Sequence, residues 1–187
     1  MTRLLLAACA AALIFQSGIT VAEEKMANSV HEFTLDNIDG KPYALSQHKG
    51  HVLLIVNVAS RCGYTPQYQG LQALHAKFNE KGLTVLGVPA NEFGAQEPGT
   101  NAEIKEFCSS KFKVTFPLLA KTVVKGDNIC PLYKYLTAQG AKPGPIAWNF
   151  NKFLVGKDGK VIERFDSKVK PDDPKLEKAI EDALAAK

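Results

Sequence analysis

Two short apolar runs constrain this chain more than any other feature. They are Val52-Leu53-Leu54-Ile55-Val56-Asn57-Val58 and Leu83 to Val88. Each is close to continuous rather than alternating, the pattern of a strand buried on both faces. Between them, Pro66 to Asn79 puts Tyr68, Leu71, Leu74, His75 and Phe78 on one helical face, and Gly82 follows as a stop. Parallel neighbours need a crossover connection, so a strand, a helix and a strand in this order favour an α/β sheet.

The flanking segments extend that sheet into one layered domain. Phe33-Thr34-Leu35 and Tyr43-Ala44-Leu45 surround Asp39-Gly40, an early β-hairpin. A polar loop from Ala90 to Thr100 leads into a helix over Asn101 to Phe112, with Ile104, Phe107 and Cys108 on one face. Phe116-Pro117-Leu118-Leu119 reads as extended and Pro131 to Thr137 as a short helix. Asn151 to Val155 and Val161 to Phe165 form a second hairpin around Lys157-Asp158-Gly159, and Pro171 to Ala186 is a final helix with Asp172 and Asp173 near its start. With 45% hydrophobic residues the chain has a core to bury, which excludes a disordered protein. Its 23 basic residues are interspersed with 19 acidic ones, without the basic run of a nucleic-acid binder.

Residues 1–22 read as a secretory signal peptide. Arg3 gives a positive start, Leu4 to Phe15 an uncharged apolar run, and Thr20 and Ala22 the small residues before a cut after Ala22. The run is too short for a stable membrane span, and no later segment is long and apolar enough for one. Leu6-Ala7-Ala8-Cys9 resembles a lipoprotein box, but the apolar run continues past Cys9, which counts against lipidation there. A cytosolic protein starting at Met26 is the alternative. Cleavage leaves 23–187 as a single domain with three of the four cysteines. The absence of an Asn-x-Ser/Thr sequon agrees with a bacterial periplasm.

Cys62 is the most informative residue. It follows the first buried strand in Asn57-Val58-Ala59-Ser60-Arg61-Cys62-Gly63-Tyr64-Thr65-Pro66, with the helix expected about three residues on. Ligands of open α/β sheets bind beyond the carboxyl ends of the strands. A thiol there lies near helix N–H groups and the positive end of the dipole, which favours the reactive thiolate, and Arg61 adds positive charge. An inert buried cysteine is the commonest fate of a lone one, so position alone leaves both readings open. A disulfide exchanger would have a second Cys at Thr65. Gln96, in the loop after the second buried strand, opens on the same sheet edge. Trp148, the one Trp of the chain, and Asn149 precede a later strand. Their amide and indole N–H groups are neutral donors able to stabilise a thiolate or a departing alkoxide. His31, His48, His51 and His75 form no metal-ligand spacing and no phosphate loop is present, so no metal, nucleotide or flavin cofactor is expected.

Three blocks, Asn57 to Gly63, Asn91-Glu92-Phe93-Gly94-Ala95-Gln96-Glu97-Pro98-Gly99 and Trp148-Asn149-Phe150, are similar in order and spacing to the signatures of the glutathione peroxidase family. The resemblance covers nearly all of 33–187. It implies a thioredoxin-like fold, a central mixed sheet flanked by helices. It implies a thiol-dependent peroxidase acting on hydrogen peroxide and organic or lipid hydroperoxides in antioxidant defence. Cys62 falls on the peroxidatic position and cycles through a sulfenic acid. Gln96, Trp148 and Asn149 complete the catalytic tetrad.

The reducing half fits the family less closely. Many thiol-based relatives resolve the sulfenic acid with a Cys in the helix after the Gln loop. Cys108 lies in that helix about one residue off the position, and such a slip turns a side chain by about 100°. Ala90 stands where other relatives carry a Cys, and Cys130 is a further candidate. External reduction by glutathione is the third scheme. The short connection from Leu136 to Trp148 resembles the monomeric branch, and the absence of assignable glutathione-contacting Arg residues favours a thioredoxin-like reductant. No nucleic acid partner and no stable membrane association are expected. Two other readings stay open on the residues: a secreted thioredoxin-like thiol-disulfide oxidoreductase, which Thr65 opposes, and a catalytically inert thioredoxin-fold binding module.

Overall fold

The computed structural model describes residues 27–140 and 142–186. The expected signal peptide 1–22, and Cys9 within it, lie outside the described residues. The early hairpin is present as β1 (Thr34–Asp36) against β2 (Pro42–Ala44). The two apolar runs form β3 (Val52–Val58) and β4 (Leu83–Pro89), parallel and buried along their whole lengths. Helix α1 (Gln67–Phe78) makes the crossover between them. A 3-10 turn over Asn79–Lys81 follows it and ends where Gly82 takes a left-handed φ of 99°, a conformation open to glycine at little cost. Then come α2 (Asn101–Phe112), α3 (Pro131–Ala138), the antiparallel pair β5 (Lys152–Val155) and β6 (Val161–Phe165), and α4 (Pro174–Ala185).

The main sheet has the order β4-β3-β5-β6, with β5 antiparallel to β3. It is the expected mixed sheet, and β3 sits at its centre. Alternate residues of β3 enter two separate apolar layers. Val52, Leu54, Val56 and Val58 pack with Leu71 and Leu74 of α1 and with Leu176 and Ile180 of α4. Leu53 and Ile55 pack with Leu132, Leu136 and Phe153 on the other face. Each such side chain taken fully from water contributes about 1.5–3 kcal/mol, so β3 anchors both layers. Pro117 to Leu119 covers the open edge of β4. The Gly87 N–H donates to the Pro117 carbonyl at 3.0 Å, and the Leu119 N–H to the Gly87 carbonyl at 2.9 Å.

Two boundaries differ from the sequence expectation. Helix α1 starts at Gln67, after a run of turns through Cys62 and Tyr64. Helix α4 starts at Pro174 instead of Pro171, because the Asp173 side chain caps it by accepting from the Lys175 N–H.

Candidate active site

The site forms where β3, β4 and the chain entering β5 end on one edge of the sheet. Cys62 sits in the turn after β3 and is 7% exposed. Its Sγ accepts the Tyr64 N–H at 3.4 Å. The Cys62 N–H donates to Thr65 Oγ1 at 2.9 Å, and that hydroxyl donates to the Ala59 carbonyl at 2.8 Å. Thr65, at the place a disulfide exchanger gives to its second Cys, thus shapes the turn that presents Cys62.

The loop after β4 brings in Gln96. Gly94 and Ala95 both adopt left-handed backbone, with φ of 65° and 52°. The exposed Ala95 holds this conformation at some cost, the kind of strain that collects at functional sites. The turn aims the Gln96 amide back over Gly94, where an added Cβ would sit 3.7 Å from Gln96 Nε2 and from the Trp148 ring. Gln96 and Trp148 therefore border one small space. The Gln96 carbonyl accepts the Arg61 N–H at 3.0 Å, tying this loop to the residue before Cys62.

The third segment is Trp148-Asn149-Phe150. Asn149 is fully buried, and its Nδ2 donates to Gln96 Oε1 at 3.0 Å. Trp148 is 39% exposed and tilts against Phe93, with ring centroids 5.9 Å apart. Phe150 has a left-handed φ of 62° although it is fully buried, so the segment is bent against its local preference. The structure thus joins Gln96 to Asn149 directly, Trp148 to Gln96 across Gly94, and Cys62 to Gln96 through the Arg61 backbone.

Two residues essential to this geometry went unread in the sequence. Asn57 is a polar side chain inside the buried β3. Its Nδ2 donates to the Trp148 carbonyl at 3.1 Å, its Oδ1 accepts the Asn151 N–H at 3.0 Å, and its own carbonyl accepts the Phe150 N–H at 2.6 Å. A lone Asn in an otherwise apolar strand was the available signal. Lys152 is the second, a lysine without exposed surface at the start of β5. Arg164 supports the approach to Trp148, donating to the Gly144 carbonyl at 2.7 Å and to the Pro145 carbonyl at 2.9 Å.

The other cysteines lie apart from each other. Cys108 is buried in the layer that holds Cys62, beside the Tyr68 hydroxyl, and burial pushes its thiol up to about 11. Cys130 packs against the opposite layer, and burial raises its thiol too. All three described cysteines are free thiols. No group of three or more His, Cys, Asp or Glu suited to a metal occurs among the described residues. Glu97 is buried beside Ser60, and burial raises its carboxyl while Ser60, Lys121 and Arg61 pull the other way.

A family model for glutathione peroxidase matches residues 30–137. A hydroperoxy fatty acid reductase of Synechocystis sp. is 52% identical over 156 residues, covering 78% of this chain and 91% of its own. A glutathione peroxidase-like peroxiredoxin of Schizosaccharomyces pombe is 51% identical over 148 residues, covering 78% and 92%. A thioredoxin family thiol:disulfide interchange protein of Chlorobium tepidum, 17% identical, superposes with a TM-score of 0.63 over 84% of this chain and 96% of that one. That last likeness shows a thioredoxin-like fold and nothing more.

Proposed function

The chain belongs to the glutathione peroxidase family, and from that premise we propose that Cys62 is its peroxidatic thiol, with Gln96, Trp148 and Asn149 as the neutral donors around the reacting oxygens. The protein is a thiol-dependent peroxidase that reduces hydroperoxides. The Cys62 thiolate attacks the terminal oxygen of the hydroperoxide and the O–O bond breaks. The bonding pair leaves with the alkoxide, which takes a proton to become an alcohol, or water when the substrate is hydrogen peroxide. Cys62 is left as a sulfenic acid. One thiol condenses with it, releasing water, and a second thiol breaks the resulting disulfide, which restores Cys62.

The observation that carries this reading is the Asn149–Gln96 hydrogen bond, in a loop whose Gln96 carbonyl is held by the residue next to Cys62. Neutral donors stabilise charge on the leaving oxygen without ion-pairing the thiolate, which would hold it back from attack. Trp148 stands open at the surface, which suits a long-chain hydroperoxide on one half-reaction and a thioredoxin-like protein on the other. The Synechocystis relative is named for fatty acid hydroperoxides, which supports the first of these.

For the reducing half, Cys108 is the preferred resolving thiol over Cys130, because it shares the apolar layer of Cys62. Its burial makes it a poor nucleophile while α2 is closed, so resolution through it requires α2 to open. The monomeric state and export to the periplasm, with cleavage after Ala22, belong to the same proposal.

The test is stopped-flow oxidation of the reduced protein by hydrogen peroxide and by a fatty acid hydroperoxide. Cys62→Ser should abolish both reactions, and an unchanged rate in that variant would overturn the reading. Mass spectrometry after one equivalent of peroxide separates a Cys62–Cys108 bridge, a Cys62–Cys130 bridge and a lone sulfenic acid.

A further inference from the structure

Lys152 is the one lysine among the largest fully buried side chains of the described residues. It enters β5 opposite Val56 of the central strand. A buried ammonium is costly unless hydrogen bonds hold it, and this one has two short ones. Its Nζ donates to Gln67 Oε1 at 2.7 Å and to the Phe150 carbonyl at 2.8 Å. Gln67 is the first residue of α1, directly behind the turn that presents Cys62. Phe150 is the left-handed residue of the Trp148-Asn149-Phe150 segment. The network then closes around the ammonium. Gln67 Nε2 donates to the Ser167 carbonyl at 2.7 Å, while Asn151 Nδ2 donates to Ser167 Oγ and to the Trp148 carbonyl, both at 3.1 Å.

We propose that Lys152 is a positioning residue for peroxide reduction: its buried ammonium clamps the start of α1 to the bent Trp148–Phe150 segment and so fixes Cys62 against Trp148 and Asn149. The inference rests on Cys62 as the peroxidatic thiol. It explains why a charge is kept here although an apolar side chain would pack without the desolvation cost. Fine alignment of reacting groups carries that weight in catalysis, since a misplacement of about 1 Å can cost about a hundredfold in rate. Asp166 is the charged group acting on Lys152, while its α1 neighbour Gln67 and its β3 partner Val56 carry no charge. Burial brings the ammonium down to about 7, so the clamp loses its charge as pH rises past neutrality.

The experiment compares the second-order rate constant of Cys62 oxidation by hydrogen peroxide in wild type, Lys152→Met, Gln67→Met and the double variant, with Cys62→Ser as control. Each single variant should fold, melt within a few degrees of wild type or above it, and react about tenfold or more slowly. The double variant should react no more slowly than Lys152→Met, because both changes open one clamp. The ratio of wild-type to Lys152→Met rates cancels the ionisation of Cys62 and should fall as pH rises through about 7. Folded single variants with rates within twofold of wild type, effects that multiply in the double variant, or a ratio flat with pH would each overturn the proposal. Activity remaining in Cys62→Ser would instead overturn the assignment of the thiol. If Lys152→Met fails to fold, Gln67→Met and its pH profile decide alone, since that variant keeps the lysine.

Discussion

Asn57→Ala tests whether the site is held from below by one buried amide. The fully buried side chain makes two bonds, a part-buried one to the Trp148 carbonyl and a buried one from the Asn151 N–H. Truncation affects the two partners unequally. The Trp148 carbonyl keeps a donor in Asn151 Nδ2 at 3.1 Å, whereas the Asn151 N–H loses the acceptor shown for it. One orphaned buried donor costs about 1–3 kcal/mol and the lost neutral bond about 1 kcal/mol more, so the variant should lose about 2–4 kcal/mol of stability. In urea, with a slope of about 2 kcal/mol/M for a domain of this size, the midpoint falls by about 1–2 M without a change of slope. The same truncation frees the Trp148–Phe150 segment, so the rate of Cys62 oxidation, measured well below the unfolding transition, should drop about tenfold or more. A midpoint within about 0.3 M of wild type together with an unchanged rate would refute this account, because the segment would then be set by its own turn and not by β3.

Three further outcomes follow from other parts of the molecule. Thr100 caps α2 in a reciprocal box with Glu103, so Thr100→Ala should cost about 1 kcal/mol in thermal or urea unfolding, and a change below about 0.3 kcal/mol would contradict the capping assignment. Cys108 has no exposed surface and its thiol is pushed up to about 11, so brief treatment of the reduced, folded protein with N-ethylmaleimide near neutral pH should leave Cys108 unlabelled by mass spectrometry; rapid labelling would mean that α2 opens readily. Lys152 makes stability depend on pH. Its group is lowered from 10.5 to about 7 in the folded protein, so between those values the unfolded chain binds more protons. Wild-type stability relative to Lys152→Met should therefore rise with pH above about 7, at up to about 1.4 kcal/mol per pH unit, while below about 7 the cost of the buried ammonium is felt in full. A difference that stays flat from about pH 6 to about pH 9 would show that the amine keeps its proton in the folded state, as it does in the unfolded chain.

The parts of the fold that could be read from the sequence are those where one local rule decides. β3 and β4 were legible because strands buried on both faces cannot alternate, and α1 because its apolar face repeats at helical spacing. Cys62, Gln96, Trp148 and Asn149 stood out as a candidate site from their places at the ends of such elements, and the structure joins Gln96 to Asn149 by a hydrogen bond. What stayed hidden depends on partners far apart in sequence. Asn57 bonds across 91 and 94 residues, and Lys152 reaches Gln67 across 85. An Asn within an apolar run and a Lys at a strand start have no local pattern that announces a partner. The start of α1 falls one residue after the expected Pro66, which is its N-cap, and the Thr65 hydroxyl holds the turn before it by engaging the Cys62 N–H and the Ala59 carbonyl.

The rigid part of the site lies underneath it. At the surface, Trp148 and Gln96 are partly open and the loop passes through left-handed backbone at Gly94 and Ala95, an arrangement that local preference alone would not keep. Beneath, Asn57, Lys152, Asn151 and Ser167 hold the Trp148–Phe150 segment through a network of buried and part-buried hydrogen bonds. Such a buried polar network is expensive to form and expensive to break, so it holds one geometry. Under the proposed function, rigidity placed below an open surface leaves the Cys62 thiol within reach of a hydroperoxide and of a thiol reductant while the donors around it stay aligned.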